Sequence, residues 1–495
     1  MARSESPSMN RPPPSSPQPN PPGVAQEIDW MDFRDHLSTA DQAGRRRWLF
    51  PRQPSGRFYR WRTWVSYLLL ATMFVGPFVR INGNPLLLFN IVERRFSILG
   101  QIFWPQDGAI FALATLLFLS GIFVFTAAFG RLWCGWTCPQ TLLMEMVFRK
   151  IEYWIEGDAM AQRALRAAPW TGQKLRKKLV KHAVFLSLSF LIGNTLLSYI
   201  IGTEQLIQIV TDNPARHLTG LGFMTLFTII FYAIFARFRE QACTFICPYG
   251  RLQSTVVDEN TLVVAYDHRR GEQRSRLHRN QKWEHRHSEG YGDCIDCRQC
   301  VRVCPTGIDI RNGTQMECVH CTACIDACDA VMDKLGQARG LVRYASLNSV
   351  ERAQPFRITA RMIGYSAVLG TLAVLLGYLV FTRSDVQTTL LRAPGALFQQ
   401  TPEGRISNLY LLKLVNKTSR DVAVTLKLQS VSGKLLLIGG HDELVVPRGE
   451  LAQTSVLIEL PPETLQASTM PLSVDVCSKD KVLETINTVF IGPRK

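Results

Sequence analysis

Charged residues are scarce in this chain. Only 19% of its 495 residues are Asp, Glu, Lys or Arg, against 46% that are apolar. The mean hydropathy is nevertheless only +0.03, because very apolar stretches alternate with very basic ones. This combination argues against one ordinary water-soluble globule and predicts a membrane protein with soluble parts.

The amino-terminal region is short of apolar residues, and the whole chain is short of acidic ones. The first 40 residues contain no apolar run, so we expect no cleavable signal peptide, and residues 1 to about 25 are predicted to be disordered. Acidic residues number 40 against 56 basic ones, giving a net charge of +16. No basic-plus-aromatic module accompanies this charge. We therefore expect no nucleic-acid partner and attribute the charge to an anionic membrane surface.

Uncharged runs near or above roughly 20 residues, the length that crosses a bilayer as a helix, predict membrane spans. Five occur, at 63–79, 109–129, 183–201, 218–236 and 362–382. The first is short, and we expect Arg62 and Arg80 to extend toward the two interfaces. Another apolar segment, 85–104, is interrupted by charges and is predicted to be interfacial or re-entrant.

The orientation follows from the distribution of Lys and Arg. These residues cluster before the first run and between the second and third, whereas only Arg216 lies between the third and fourth. Because basic residues favour the cytoplasmic side, the amino terminus and the region before the fifth run are predicted to be cytoplasmic. The carboxyl-terminal region would be periplasmic, in a bacterial inner membrane.

Eight of the thirteen cysteines form two successive CxxCxxCxxxC runs, on the predicted cytoplasmic side where disulfides are disfavoured. This pattern predicts two [4Fe-4S] clusters, and in the bacterial arrangement the fourth cysteine of each run binds the other cluster. Cluster 1 would take Cys294, Cys297, Cys300 and Cys328, and cluster 2 would take Cys318, Cys321, Cys324 and Cys304. Zinc is the alternative, which the duplicated run and Pro305 disfavour. Asp329 stands where the second run usually has proline.

Two CxxxCP sequences follow the second and fourth apolar runs as a weak internal repeat. We expect their cysteines to converge at one membrane face: Cys134, Cys138, Cys243 and Cys247. Proline after Cys138 and Cys247 predicts that both residues precede helices, where the helix dipole lowers a thiol pKa. Such thiols suit Cu(I), a dithiol/disulfide pair or another iron centre. The alternative is a set of inert, buried cysteines.

Two further side chains, a histidine and a cysteine, have simpler interpretations. His320, inside the second cysteine run, is interpreted as a solvated neighbour that tunes a cluster potential. Cys477, outside all the cysteine groups, is predicted to be a buried structural thiol.

After the fifth apolar run the chain consists of short apolar and β-branched segments separated by polar turns. This pattern predicts a small β-sandwich of immunoglobulin type, with a barrel as the alternative. The fold class is thus multi-domain: an α-helical membrane domain of five spans, a two-[4Fe-4S] ferredoxin domain and an all-β carboxyl-terminal domain.

The predicted boundaries are a disordered basic segment (1–57), four spans with the CxxxCP turns (58–250), a basic linker (251–289), the ferredoxin domain (290–335), a linker (336–357), the fifth span (358–382) and the β domain (383–495).

The order of these parts, with a β domain that begins near the sequence GRISNLY, resembles the cytochrome c oxidase accessory proteins of the FixG/RdxA/CcoG type from about residue 58 to the end. The resemblance implies an oxidoreductase that passes electrons through the clusters to Cu(II), held in the region of Cys134, Cys138, Cys243 and Cys247. It also implies a role in assembly of a cbb-type oxidase, with a copper transporter or chaperone and assembly components as partners. The cytoplasmic electron donor and any homo-oligomer stay undetermined.

Two alternatives remain beside this interpretation. One is a quinol-linked electron conduit to a periplasmic reductase, although the carboxyl-terminal region lacks CxxCH and any flavin-binding segment. The other is a structural assembly scaffold whose clusters do not cycle.

Overall fold

The protein is described here from a computed structural model. The structure describes residues 39, 45–91, 95–278, 281, 283–418, 420–429, 431–439, 443–465, 467–479 and 481–493. The segment predicted to be disordered, 1 to about 25, lies outside these residues. All statements of absence below concern the described residues.

Four described helices are long and apolar enough to cross a membrane, and they match the second to fifth predicted spans: Gly108–Phe129, Gly172–Ile201, Leu218–Phe238 and Ala360–Phe381. The first predicted span falls in the helix Arg57–Val75, which continues into the 3-10 turn Gly76–Phe78. We refer to these five as the first to fifth helices. Shorter helices include Leu132–Trp136, Pro139–Leu142, Arg149–Glu156, Ala159–Ala167, Thr203–Thr211 and Pro248–Val256.

Aromatic packing joins the helices into a bundle. The ring of Phe148 stacks on Phe235 of the fourth helix at 4.4 Å and meets Phe185 of the third helix edge-on at 4.8 Å. All three rings are almost completely buried. The Tyr199 hydroxyl, near the end of the third helix, donates to the Met73 carbonyl near the end of the first at 3.0 Å. The carboxyl ends of the first and third helices are therefore neighbours.

The segment 85–104 forms a small antiparallel sheet and not a helix. Its strands are Leu87–Asn90, Arg95–Ile98 and Gln101–Phe103, and residues 92–94 lie outside the described part. Leu88 lies 3.8 Å from the position of a Cβ at Gly202, just beyond the end of the third helix. The sheet thus sits at an end of the bundle, which supports the interfacial alternative.

The second helix separates two regions of the molecule. Before its amino end, Asp107 forms ion pairs with Arg383 at 2.7 Å and Lys417 at 2.5 Å, which belong to the end of the fifth helix and to the β domain. At its carboxyl end, the Ala127 carbonyl accepts a hydrogen bond from the Thr261 hydroxyl at 2.9 Å. A helix of 22 residues is about 33 Å long. The cysteine-rich region and the β domain therefore lie at opposite ends of the bundle.

The cysteine-rich region is closed by a two-stranded antiparallel sheet. Strand Val263–Tyr266 comes before the two cysteine runs and strand Val342–Ala345 comes after them, with Val263 opposite Ala345. The helices Gln299–Val303 and Ala323–Lys334 lie between these strands in sequence. Pairing the flanks holds both runs in one compact unit whose core consists largely of the cysteines and the apolar side chains around them.

The carboxyl-terminal region is a sandwich of two antiparallel sheets, not a barrel. One sheet has the order Lys434–Leu437, Leu451–Leu460, Ile406–Asn416 and Val386–Arg392, with Gln399–Gln400 paired to the third. The other has the order Leu444–Val446, Val422–Leu428, Thr469–Ser478 and Lys481–Ile491. Tyr410 is fully buried between them, and its hydroxyl donates to the Val489 carbonyl of the opposite sheet at 2.9 Å. Cys477 is buried in this domain, as predicted.

Candidate iron–sulfur and thiol sites

The structure gathers the eight cysteines of the two runs around two cavities. The first cavity is lined by the four cysteines predicted for cluster 1, Cys294, Cys297, Cys300 and Cys328. The second cavity is lined by the four predicted for cluster 2, Cys304, Cys318, Cys321 and Cys324, and Cys300 also lines it. The exchange of the fourth cysteine between runs is therefore present in the geometry. Ligation of iron by these residues stays a prediction.

The two runs fold alike because equivalent residues adopt the same unusual backbone conformation. Asp296 and His320, before the second cysteine of each run, have φ of 48° and 50°. Arg298 and Thr322, after that cysteine, have φ of 56° and 64°. These left-handed positions bend the chain around each cavity so that successive sulfurs line it.

Proline accounts for the one difference between the runs. Pro305 follows Cys304, and the helix Gln299–Val303 ends just before that cysteine, since the residue before proline avoids helical geometry. Asp329 follows Cys328 and permits the helix Ala323–Lys334 to continue beyond that cysteine. The Asp329 carboxylate accepts a hydrogen bond from the Gly340 amide at 3.0 Å. The substitution thus lengthens a helix and leaves Cys328 at its cavity.

The arrangement suits an iron–sulfur cluster better than zinc. Within the described ranges, no three His, Cys, Asp or Glu side chains lie close enough to hold one metal ion. Zinc needs its four ligands roughly 2.0–2.3 Å from a single point, whereas these sulfurs are spread around cavities. Burial raises the pKa of Cys321 to about 11 and that of Cys328 to about 12. Thiolates at these positions would need a positive partner such as iron.

The CxxxCP cysteines lie where the chain turns at the end of the bundle. Cys138 (φ −59°, ψ 123°) and Cys247 (φ −71°, ψ 113°) each occupy the position before a helix that begins with proline, as predicted. Neither side chain makes a capping hydrogen bond. Cys134 accepts a hydrogen bond from the Gln253 amide nitrogen at 3.3 Å.

These four thiols converge loosely. Burial raises the pKa of Cys134 to about 11 and that of Cys243 to about 12, and neighbouring thiols of the same group add to both shifts. The four sulfurs therefore lie within electrostatic range of one another. In the part of the chain that is described, however, no three of them share a point where one ion could bind.

The two cysteine regions touch through glycine. A Cβ added at Gly135, between Cys134 and Cys138, would lie 2.3 Å from the Val319 carbonyl oxygen in the wall of the second cavity. Cys134 itself packs against the buried cluster of Val303, Val319, Cys321 and Ala323. Only glycine permits this close approach.

His320 is buried at the same contact, so its interpretation as a solvated neighbour is wrong. It is 3% exposed, and its Nδ1 accepts a hydrogen bond from the Arg131 amide at 3.1 Å. A Cβ at Gly130 would approach its ring to 2.8 Å, so that residue must be glycine too. Burial lowers the pKa of His320 to about 4, which keeps the imidazole neutral. The turn after the second helix covers the histidine and excludes solvent.

Two residues that position this end of the bundle escaped the sequence-based predictions. Arg62 is 2% exposed and donates to the Gly135 carbonyl at 2.6 Å, instead of extending to an interface. Asp326, between Cys324 and Cys328, accepts hydrogen bonds from the amides of Phe58 and Tyr59 at 3.0 and 2.7 Å and so caps the first helix. The available signal was the absence of a capping side chain at Gly56, which suggests a cap from elsewhere.

Models of known families match three parts of the chain. A 4Fe-4S dicluster domain matches residues 238–347, and a 4Fe-4S binding domain matches residues 111–158. The Ig-like fold found at the C-terminus of FixG matches residues 376–493. The two iron–sulfur matches together include both CxxxCP sequences.

Relatives extend the likeness over most of the chain. The nitrogen fixation protein FixG of Rhizobium meliloti is 33% identical over 438 residues, which are 80% of this chain and 82% of the relative. The protein RdxA of Cereibacter sphaeroides is 35% identical over 418 residues, 81% of this chain and 86% of the relative. This chain belongs to the FixG family. The FixG-family chain is accordingly a membrane-type iron–sulfur electron-transfer protein.

A crystal structure of a FixG-related protein from Vibrio parahaemolyticus aligns with 22% of this FixG-family chain and 97% of its own, at 19% identity. The TM-score is 0.20.

Proposed function

We propose that this FixG-family protein reduces Cu(II) to Cu(I) at the membrane-face thiols and thereby supports assembly of a cbb-type oxidase. In this proposal Cys294, Cys297, Cys300 and Cys328 hold cluster 1, and Cys318, Cys321, Cys324 and Cys304 hold cluster 2. When bound, the clusters supply one-electron transfer. Copper is the substrate, and it takes up one electron per ion.

The observation that carries the proposal is the contact between Cys134 and the wall of the second cavity. Cys134 packs against the buried cluster that includes Val319 and Cys321, and the adjacent Gly135 leaves no room for a side chain between the turn and the Val319 carbonyl. The thiol region and the proposed cluster 2 site are thus in direct contact. Such contact favours electron transfer from this cavity to an ion held by the thiols.

The chemistry of the thiols supports copper as that ion. Soft sulfur ligands prefer Cu(I) to Cu(II), and this preference makes reduction of a bound Cu(II) more favourable. Because the raised pKa values of Cys134 and Cys243 keep both protonated at neutral pH, binding would release protons. The loose spacing suits an ion that must leave again.

The proposed topology places the cysteine-rich end in the cytoplasm and the β domain in the periplasm, from the distribution of basic residues. A reporter fused after Glu259 should lie in the cytoplasm, and a reporter fused after Lys495 should lie in the periplasm. Both fusions reporting the same compartment would contradict the opposite-end arrangement.

The direct test uses the double variant Cys138→Ser, Cys247→Ser. Serine can still cap a helix but cannot act as a soft ligand, so folding and cluster content should persist while Cu(II) reduction falls sharply. The measurement is Cu(I) formation by anaerobically purified, prereduced protein, with a Cu(I)-specific chelating dye. Cys477→Ser, in the β domain, is the matched control and should reduce copper normally.

A double variant that reduces copper at the normal rate, with both clusters intact, would refute the assignment of these thiols. If quinol reduces the clusters of the unaltered protein and copper does not reoxidise them, the result favours the electron-conduit alternative.

A further inference from the structure

A buried arginine lies beside the first cavity and belongs to the basic linker. Arg286, in the short helix Trp283–Ser288, is fully buried. Its Nε donates to the Gly292 carbonyl at 2.8 Å. Its Nη2 donates to the carbonyls of Ser275 and Cys294, each at 2.9 Å. The guanidinium is therefore hydrogen-bonded to the backbone carbonyl of Cys294, a proposed cluster 1 ligand.

The charge of Arg286 has no carboxylate partner among the described residues. Asp293, the nearest acidic residue in sequence among those that are buried, instead pairs with Arg270 and with His287. The rings of Trp283 and Tyr291 flank the guanidinium, with centroids 5.7 and 5.6 Å away. Its Nη1 has no hydrogen-bond partner. A buried charge left in this state is strongly unfavourable, so an anion is expected nearby.

Arg311 provides a contrast on the same cavity. It lines the cavity and is also buried, but it pairs with Asp309 at 2.6 Å and Asp296 at 2.5 Å. Its charge is neutralised by protein carboxylates. Arg286 thus differs from Arg311 in having carbonyl dipoles and aromatic faces, but no anion, around it.

We propose that Arg286 is the counter-ion of the cluster 1 site and stabilises its reduced state. Adding one electron makes a thiolate-bound cluster more negative, so a fixed positive charge hydrogen-bonded to the backbone of a proposed ligand favours the reduced form. The inference rests on the proposed cluster 1 ligands, Cys294 among them, and not on copper chemistry. Arg286 acts through its electrostatic field at the cluster and not as a ligand.

The test compares Arg286→Met, which removes the charge, with Arg286→Lys, which keeps it. Iron and sulfide are measured first, and then a redox titration followed by electron paramagnetic resonance gives the potential of each cluster. In Arg286→Met the reduction equilibrium of one cluster should fall about tenfold, equivalent to about 59 mV for one electron, while the other stays unchanged. Arg286→Lys should shift it by less than half as much. Arg276→Met, an exposed arginine of the same linker, should shift neither.

Equal shifts in the Met and Lys variants, or no shift in Arg286→Met, would overturn the counter-ion role. If Arg286→Met retains only about four iron atoms, the lysine variant decides: recovery of about eight supports the charge, and about four refutes it. Unaltered protein without iron and sulfide would overturn the proposed function and this inference together. An unshifted potential with full iron content overturns this inference alone.

Discussion

The cysteines of the ferredoxin runs and the thiols at the membrane face are held by the chain in different ways. Around the two cavities, equivalent left-handed residues repeat the same bend, and antiparallel strands close the unit. At the membrane face, four thiols come from two turns, within electrostatic range but without a shared point. A repeated, closed framework suits a resident cofactor. A looser set suits an ion that arrives and departs.

The largest expected effect comes from a substitution in the ferredoxin runs that leaves the CxxxCP thiols unchanged. Cys304→Ala removes the ligand that the first run contributes to the second cavity. Because cluster binding also stabilises the fold around it, iron should fall from about eight atoms to four or fewer. Cys134→Ala, which lies in neither run, should keep about eight. Iron and sulfide analysis checks both, and a full iron content in Cys304→Ala would remove the proposed ligand exchange.

A second change acts on the contact between the two regions. Gly135→Ala introduces a methyl group 2.3 Å from the Val319 carbonyl oxygen, so the thiol turn must move away from the second cavity. We expect a loss of about 1–3 kcal/mol in stability and slower reoxidation of reduced clusters by Cu(II), measured by stopped-flow absorbance.

Gly377→Ala in the fifth helix is the control, since no atom lies within 4 Å of its added Cβ. It should leave both quantities unchanged. Unaltered reoxidation in Gly135→Ala would mean that electrons do not cross this contact.

A third change loosens the attachment of the ferredoxin region to the bundle. Asp326→Ala removes the carboxylate that accepts from the amides of Phe58 and Tyr59. Loss of such a cap costs about 0.5–2 kcal/mol, so the thermal unfolding midpoint should fall. Asp333→Ala, exposed on the helix Ala323–Lys334 that also carries Asp326 and paired with Arg339, should lower the midpoint by less, because an exposed ion pair contributes little. Equal effects of the two substitutions would argue against the capping role.

The smallest effect concerns the opposite end and should leave both cysteine regions untouched. Burial favours the neutral form of Asp107, but hydrogen bonds from Lys417 and Arg383 prevail and lower its pKa. A carboxyl whose pKa is lower in the folded state stabilises the fold above its unfolded pKa of about 3.9 and loses this contribution as the pH falls further. Proteolysis between the fifth helix and the β domain should therefore increase below about pH 4.

Asp107→Asn should show the faster cleavage already at neutral pH and little further acid dependence. Cleavage that is the same in both proteins across this range would show that the ion pairs do not hold the β domain.

Much of this organisation could be predicted because it depends on local spacing. The CxxCxxCxxxC runs specify which cysteines can surround each cavity, and uncharged length locates four helices. Proline predicts the backbone at Cys138 and Cys247. Each of these signals lies within a few residues of the feature that it specifies.

The failures depend on partners distant in sequence. His320 is buried because two glycines near residue 130 allow the turn to cover it, and nothing in its own run indicates this. In the sequence Arg62 resembles an interfacial arginine, because its partner, the Gly135 carbonyl, is 73 residues away along the chain. Arg286 could not be separated from other basic linker residues without knowledge of its burial.

The cap on the first helix has a consequence for how the protein is made. Phe58 and Asp326 are separated by 268 residues, so the ribosome completes the first helix long before its cap has been synthesised. Until then the amides of Phe58 and Tyr59 lack this cap, and they receive it only when the segment between Cys324 and Cys328 has folded. The start of the first helix, which is synthesised early, is thus completed only when the second cysteine run, synthesised much later, has folded.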